Sequence, residues 1–228
     1  MITLPSVDEL AQSSADFDRI WGGVDEVLYA LCRQHPRHDD LRTTAAKLAL
    51  INRVYAAGLE RRVSPRAGEQ AIAVIAEYVY RRRADVDEIL GELSALSEPL
   101  SVSGVSRIVD LHGRFTRLLV GVTTDGKAPR SFAAKYLHFH APVVPLYDSY
   151  VAAAIVKRVR WDPRAAPFPC PPAGDGEYYN FCVRFWRVYV ACRRQGLDVT
   201  VKSLDTLLWA ASTADKYNVG DRENEEPG

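Results

Sequence analysis

Residues 131–151, SFAAKYLHFHAPVVPLYDSYV, decide how the rest of the chain is arranged. The first half predicts an amphipathic helix over 132–140, with Ser131 as its N-cap. The apolar stripe of that helix consists of Phe132, Tyr136 and Phe139. Two prolines then end the helix, and a lone acid, Asp148, stands between the apolar runs VVPLY and SYVAAAI. The pattern predicts two helices joined by a proline-containing turn, with Asp148 at the head of the second.

Asp148 has two interpretations that the sequence leaves open. Aspartate is a preferred N-cap residue, so capping a helix that starts at Ser149 would by itself explain the acid. A partly buried carboxylate among apolar neighbours is also a frequent feature of catalytic sites. One residue can serve both purposes, because a helix N-terminus stabilises the negative charge that such chemistry needs.

The polar residues of the 132–140 helix support a weaker set of hypotheses. Lys135 and His138 share a second face of the helix. His138 and His140 are two residues apart, which separates them by about 200° on a helix and keeps them from converging on one metal ion. Histidines beside aromatic residues are more often hydrogen-bonded core residues, and we predict no metal site.

Helical periodicity continues along most of the chain. Apolar residues recur at intervals of three and four in 44–62, 68–83, 85–100, 103–122, 181–196 and 203–217. Ser64 is a predicted N-cap with Pro65 in the first helical position, and Gly196 is a predicted helix stop. These signals predict an all-α protein whose residues 1–217 form one domain of two helical lobes, followed by a disordered tail over 218–228.

The proline-rich stretch 157–180 is the one long break in this pattern. It contains five prolines and opens with Lys157, Arg158, Arg160 and Trp161. Long loops in compact domains are usually functional or disordered. The basic and aromatic start favours contact with a nucleic acid strand, whereas the prolines equally suit a crossover between lobes.

The charges are balanced overall but sorted along the chain. The 29 Lys and Arg residues match the 29 Asp and Glu residues. Residues 1–41 carry eight acids and three basic residues, whereas residues 107–164 carry ten basic residues and four acids. A phosphate backbone would prefer the second segment, although a solvated face with no partner explains the same imbalance.

The cysteines and the hydropathy of the chain indicate its cellular compartment. The four cysteines include no CxxC pair, and three of them lie in or beside apolar helical patterns, as reduced core thiols do. A structural zinc site is therefore not expected. The N-terminus has no basic flank followed by an apolar run, and no segment approaches the length of a membrane span. We predict a cytoplasmic protein with no cofactor.

The layout around Asp148 resembles the catalytic segment of the helix-hairpin-helix DNA glycosylases. The match is carried by "R-SFAAKYLHFHAPVVPLY-D", in which Asp148 follows Arg130 at an interval of 18 positions, close to the family's interval between its lysine and its aspartate. The hairpin is degenerate, since VTTDGKAPRSFAAK offers a single glycine, Gly126. Arg130 stands where bifunctional members carry a Schiff-base lysine, and Lys135 follows five residues later.

The resemblance implies a monofunctional DNA glycosylase acting on double-stranded DNA with modified bases, with no membrane contact and no obligate protein partner. Some bacterial members are thought to serve phage defence, among them one that excises glucosylated hydroxymethylcytosine. Asp148 would stabilise the charge that develops on the sugar, assisted by Lys135. The DNA-binding candidates are Lys127, Arg130, Lys157, Arg158 and Arg160. The candidates for the base pocket are Tyr55, His138, Phe139, His140, Tyr147, Tyr150 and Trp186.

Two other classes remain open at this point. A ribonuclease of the HEPN kind needs Arg and His about a turn apart, as in Arg33 and His38, although Pro36 breaks the helix that must present both. The second alternative is a non-catalytic helical module that binds DNA or protein, in which Asp148 is only a cap. That alternative predicts binding that survives Asp148→Asn.

Overall fold

A computed structural model describes the backbone of residues 2, 4–160, 162, 164 and 166–223, and the side chains of these residues as far as 212. Within that part of the chain the regular structure is helical, which confirms the all-α prediction, and a single β-bridge joins Ile2 to Val159. The elements are α1 Val7–Phe17, a π-helical turn Asp18–Gly22, α2 Gly23–Gln34, α3 Leu41–Val54, a 3₁₀ turn Glu60–Arg62, α4 Ala71–Arg81, α5 Arg83–Ser94, α6 Val102–Val120, α7 Arg130–His140, α8 Ser149–Arg158, α9 Gly176–Arg194 and α10 Val201–Glu223.

Helix α7 is the centre of the molecule. It packs against α2, α3, α5 and α6, and every residue from Phe132 to Phe139 is buried. The prediction of an amphipathic helix was wrong, because neighbouring helices cover the polar face as well as the apolar stripe. The predicted N-cap was also wrong: α7 begins earlier, its cap is Pro129, and Ser131 lies inside the first turn.

Two predicted helix boundaries move for a backbone reason. Helix α3 stops before Leu59 because Ala56 and Gly58 adopt positive φ angles of 46° and 76°, which a right-handed helix cannot accommodate. Ser64 and Pro65 do not start a helix and lie in the loop that follows. Helix α4 begins only after Gln70, which has extended backbone angles.

The two segments expected to be irregular are shorter than predicted. Helix α8 includes Lys157 and Arg158, so the connection to α9 starts only at Val159. Trp161 lies outside the described residues. Helix α10 continues to Glu223, which makes residues 218–223 of the expected tail helical, and 224–228 lie outside the described residues. Cys32, Cys182 and Cys192 are buried free thiols, as predicted, and Cys170 is exposed.

The described helices that are at least 18 residues long all lack an apolar stretch sufficient for crossing a bilayer.

A close approach between α6 and the proline-rich loop depends on Gly113. A Cβ atom at this position would lie 1.9 Å from the carbonyl oxygen of Ala173. Because that oxygen is a backbone atom, it cannot rotate away as the end of a flexible side chain could. We expect Gly113→Ala to lower the free energy of unfolding by about 1 to 3 kcal/mol, as overpacked core positions do. The measurement is urea unfolding followed by circular dichroism.

The matched control for this prediction is Gly91→Ala in α5. Gly91 is also helical, but a Cβ there would meet nothing within 4 Å. Because alanine is the better helix former, this variant should gain up to about 1 kcal/mol. Equal stability of the two variants would show that the loop does not press on α6.

Candidate functional site

A cavity of about 220 Å³ lies where the end of α3, the middle of α7, the head of α8, α10 and the π-helical turn meet. Its walls combine aromatic rings with three ionisable side chains. The aromatic residues are Phe17, Trp21, Tyr55 and Trp209, and the ionisable residues are Lys135, Asp148 and Asp205. This mixture of flat apolar walls and converging charges is typical of ligand sites.

Asp148 stands at the rim of the cavity as the N-cap of α8. Its Oδ1 accepts a hydrogen bond of 2.8 Å from the backbone N–H of Val151, which confirms the predicted cap. Its Oδ2 lies 3.8 Å from Nζ of Lys135, and 23% of its side chain is exposed. The helix N-terminus and the ammonium group both stabilise a negative charge at this place. The carboxylate is held in position while one oxygen remains open to the cavity.

Lys135 reaches the cavity from α7 although only 6% of the residue is exposed. Its Nζ donates a hydrogen bond of 3.0 Å to the carbonyl oxygen of Tyr55. That carbonyl belongs to the residue after α3, where the left-handed conformation of Ala56 ends the regular helix hydrogen bonds. Burial lowers the pKa of Lys135, while Asp148 and Asp205 act in the opposite direction.

Asp205 is the second carboxyl group of the cavity and comes from α10. It is 8% exposed, and its Oδ1 has no hydrogen-bond partner within the described part of the chain. The pKa of Asp205 is raised to about 7, chiefly by burial, with smaller raising effects of Asp148 and Asp25 and opposing effects of Lys202 and Lys135. An unpartnered buried carboxyl group is costly to stability, which marks Asp205 as a functional candidate.

Asp25 holds the hydroxyl end of Tyr55, one of the aromatic residues that line the cavity. The Tyr55 hydroxyl donates a short hydrogen bond to Oδ1 of Asp25, and Oδ2 of Asp25 lies 2.7 Å from Nζ of Lys202. Burial and the Asp25 carboxylate raise the pKa of Tyr55, so that the phenol keeps its proton. Tyr55 is therefore anchored at both its carbonyl and its hydroxyl, and its ring forms a rigid wall.

The junction of α1 with the π-helical turn Asp18–Gly22 supplies two more aromatic residues. Single π-helical turns occur frequently at functional sites, because they shift the register in which side chains leave a helix. Here Phe17, the last residue of α1, and Trp21 of the turn both line the cavity. The ring of Phe17 meets that of Trp209 edge-on at 5.9 Å between centroids, and Nζ of Lys202 lies 4.4 Å from the Phe17 ring centre.

Three predicted site residues, Lys135, Asp148 and Tyr55, come together in the cavity. Phe139 packs against the Tyr55 ring at 5.2 Å but does not line the cavity. His138 is fully buried: its Nδ1–H donates to Val144 O at 2.7 Å, and Nε2 accepts from the Tyr29 hydroxyl at 2.5 Å.

The remaining pocket candidates lie elsewhere. The Tyr147 hydroxyl donates to Glu177, and its ring packs on Phe181. Tyr150 is exposed on the first turn of α8. The Trp186 indole N–H donates to Leu100 O at 3.1 Å. None of these three residues lines the cavity, and their contacts give the buried Tyr147 and the partly buried Trp186 a structural role.

His140 belongs to a separate polar cluster around His38. The Nδ1–H of His38 donates to Asp87 at 2.6 Å, and its Nε2 accepts from the Tyr136 hydroxyl at 2.5 Å. The His140 ring lies 5.7 Å from that of His38. Because His38 is fully buried and both of its ring nitrogens are occupied, it does not form an exposed ribonuclease pair with Arg33.

Three arginines of the basic segment 107–164 are paired with acids in the tertiary structure. Arg107, Arg114 and Arg130 form ion pairs with acids from other parts of the chain, namely Glu88, Glu92, Asp175 and Glu177. Arg130 in particular joins the start of α7 to the start of α9, with 2.6 Å between its Nε and Oδ1 of Asp175. This arrangement favours a structural role for Arg130.

The other DNA-binding candidates lie on the surface. Lys127, Lys157 and Arg160 are exposed, and Arg158 is half-buried. Lys157 and Arg158 end α8, the helix that Asp148 caps, about 14 Å along the axis from the carboxylate at 1.5 Å per residue. One helix thus connects the candidate catalytic acid to a basic surface.

Sequence reasoning missed Asp205, Trp209, Phe17 and Trp21. Asp205 carried a usable signal, since LDTLLWAA places an acid among apolar residues just as the Asp148 stretch does. The aromatic residues carried none, because an aromatic residue on a helix is typical of any core.

The described residues contain no group of three or more His, Cys, Asp or Glu side chains arranged to hold a metal ion. Comparison with protein-family models, curated proteins and solved structures found no match to the chain.

Proposed function

We propose that the chain is a monofunctional DNA glycosylase that hydrolyses the N-glycosidic bond of a flipped-out modified base and leaves an abasic site. The observation that carries the proposal is the placement of the Asp148 carboxylate, held by the N-terminus of α8 and 3.8 Å from Lys135, at the rim of an aromatic-walled cavity. A glycosylase requires a fixed carboxylate beside a pocket for a flat aromatic base.

The cavity suits a single base better than a larger ligand. Its volume of about 220 Å³ is below the roughly 300 to 1,000 Å³ of sites for drug-sized ligands. Tyr55, Trp21 and Trp209 provide ring surfaces, and stacking on aromatic side chains offsets part of the energy lost when a base leaves the duplex. The base would enter the cavity while its sugar stays at the rim with Asp148.

The chemistry follows from the charge that develops on the sugar. As the bond between C1′ and the base nitrogen breaks, its electron pair leaves with the base and positive charge builds on the deoxyribose. The Asp148 carboxylate stabilises that charge and accepts a proton from the water whose oxygen bonds to C1′. Lys135 holds Asp148 in place and adds positive charge near the phosphate that flanks the extruded nucleotide.

The position of Lys135 also defines a test for lyase activity. A lysine whose pKa burial lowers is a better amine nucleophile, but the hydrogen bond from its Nζ to Tyr55 O directs it to a structural partner. The monofunctional proposal expects no covalent adduct between protein and abasic DNA under borohydride. An adduct lost in Lys135→Arg would instead assign a Schiff-base step to Lys135.

For the substrate, we propose a modified cytosine such as the glucosylated hydroxymethylcytosine of phage DNA. A glucosyl group does not fit beside the base in a cavity of this size, so it would project through the mouth of the cavity. The test is incubation with unmodified DNA and with DNA carrying this base, followed by mass spectrometry of released bases. If neither DNA releases a base and both are still bound, the non-catalytic binding module is favoured. In such a module, the hydrogen bond from the Val151 N–H to Asp148 is sufficient to explain the presence of the acid.

The basic end of α8 yields a prediction for DNA binding. If Lys157, Arg158 and Arg160 each contact a phosphate, replacing all three by Glu should weaken binding and reduce the slope of log K against log salt by about 3. Fluorescence anisotropy at several salt concentrations measures both quantities.

The matched control is the triple replacement of Arg81, Arg82 and Arg83 by Glu at the junction of α4 and α5. These residues are likewise three basic side chains at a helix end, and all three are exposed. The control should retain a greater affinity and the wild-type salt slope. Equal losses in both triple variants would remove the α8 end from the DNA interface.

A further inference from the structure

We propose that Asp205 is the general acid of this site, a neutral carboxylic acid that gives its proton to the departing base as the glycosidic bond breaks. The proposal rests on the glycosylase function and assigns the second carboxyl group of the cavity, which that function leaves without a role.

The placement of Asp205 is the first argument. It lines the same cavity as Asp148 but comes from α10, whereas Asp148 comes from the head of α8. Only 8% of Asp205 is exposed, and its Oδ1 forms no hydrogen bond with the described residues. Oδ1 itself is buried, so a ligand would reach the carboxyl group through the surface that Asp205 contributes to the cavity, and no hydrogen bond from Oδ1 to the described residues has to be broken first.

Charge balance is the second argument. The buried cluster around the cavity contains three carboxyl groups, Asp25, Asp148 and Asp205, and two ammonium groups, Lys135 and Lys202. Asp25 is paired with Lys202 at 2.7 Å and Asp148 with Lys135 at 3.8 Å. Among the described residues no further cation pairs with the third carboxyl group, and this set of five groups is neutral only when Asp205 carries a proton.

The groups that face Asp205 act in both directions, and their net effect raises its pKa to about 7. Burial is the largest cause; Asp148 from α8 and Asp25 from α2 also raise the pKa, while Lys202 from α10 and Lys135 from α7 lower it. The phenols of Tyr29 and Tyr55 are also close to Asp205, whose carboxylate contributes to raising the pKa of both phenols. Two carboxyl groups in one cavity, one protonated and one ionised, form the pair that acid–base catalysis requires.

The proton balance of the step is closed. The C1′–N electron pair moves into the base, and the base takes the Asp205 proton at a ring nitrogen or carbonyl oxygen. The water oxygen bonds to C1′, and Asp148 receives one water proton. After the products leave, Asp148 releases its proton to solvent and Asp205 takes one up, which restores the starting state.

The experiment is the pH dependence of single-turnover base release by wild-type protein, Asp205→Asn and the control Asp198→Asn, on DNA carrying glucosylated hydroxymethylcytosine. Wild-type activity should fall about tenfold between pH 6 and 8, since an acid with a pKa of about 7 loses its proton across this range. Asp205→Asn should be slower by about 10²-fold at pH 6 and should lose this alkaline limb. Asp198 is an exposed carboxylate before α10, with 97% of its side chain accessible, and its variant should retain both the rate and the limb.

The outcomes separate this proposal from the glycosylase function. If wild-type protein releases no base from any DNA, both proposals fall together. If wild-type protein releases bases and Asp205→Asn keeps the wild-type rate and alkaline limb, only the role of Asp205 is overturned. Should Asp205→Asn fail to fold, Asp205→Ser removes the same proton donor without added bulk, and the wild-type profile alone overturns the proposal if the rate is flat from pH 6 to 8.

Discussion

Replacing Asp148 by asparagine is expected to lower base release by at least about 10²- to 10³-fold, the loss seen when one preorganised group that stabilises transition-state charge is removed. Asparagine can still cap α8, because its side-chain oxygen can accept the Val151 N–H as Oδ1 of Asp148 does. The protein should therefore fold and bind DNA. The free energy of unfolding should fall by no more than about 1 kcal/mol, since Asp148 is partly solvated and the buried Lys135 keeps its hydrogen bond to Tyr55 O. Mass spectrometry of released bases and urea unfolding measure the two effects.

The control for Asp148→Asn is Asp40→Asn at the head of α3. Asp40 makes the same kind of cap, accepting the Thr43 N–H at 2.7 Å, but is exposed and does not line the cavity. Activity should be lost only in the Asp148 variant. An Asp148→Asn protein that excises bases at the wild-type rate would leave the residue with capping as its sole role.

The second large effect is unfolding in acid, driven by histidines buried in neutral form. Burial lowers the pKa of His38 and His112 to about 4 and that of His138 to about 3, and it also lowers the pKa of His140. In the unfolded chain these groups would titrate near 6.5. Between pH 6.5 and about 4 the unfolded state therefore binds more protons, so stability is complete above pH 6.5 and is lost as the pH falls.

The expected size of this effect is large. The lowered pKa values of His38, His112 and His138 correspond to roughly 3 to 5 kcal/mol each, and a domain of ordinary stability has about 5 to 15 kcal/mol in total. Asp205 acts in the opposite sense, because its raised pKa gives stability that is lost as the pH rises towards 7. One group of this kind does not offset four histidines. We expect cooperative unfolding between pH 6 and 4, measured by circular dichroism and urea midpoints.

A pair of variants isolates the cause of acid unfolding. His112 is fully buried, stacks on Tyr178 at 3.5 Å and donates from Nε2 to Arg130 O at 3.3 Å. His112→Gln should reduce the pH dependence of stability, whereas His35→Gln, an exposed histidine at the end of α2, should leave it unchanged. A wild-type urea midpoint that stays constant from pH 7 to 4 would contradict the explanation.

Features that depend on neighbours along the chain were predictable. The helical class follows from apolar spacing, and the Asp148 cap follows from one acid before an apolar run, because a cap bond joins residues only three positions apart. The buried thiols follow from their helical context in the same way. Positive φ angles at Ala56 were not predictable, since alanine seldom adopts them and its sequence context shows no sign of the turn.

The sequence by itself determined that the protein is all-α, that Asp148 heads a helix, and that Lys135 lies on the helix before it. Only the tertiary structure decided that α7 is buried on every side, that Arg130 is occupied by Asp175, and that Asp205 shares a cavity with Asp148. The physical reason is the separation along the chain over which each kind of interaction acts. Periodicity and capping record interactions within one or two helical turns, whereas burial and charge pairing depend on which helices pack together, and α8 and α10 meet across about 55 residues of chain.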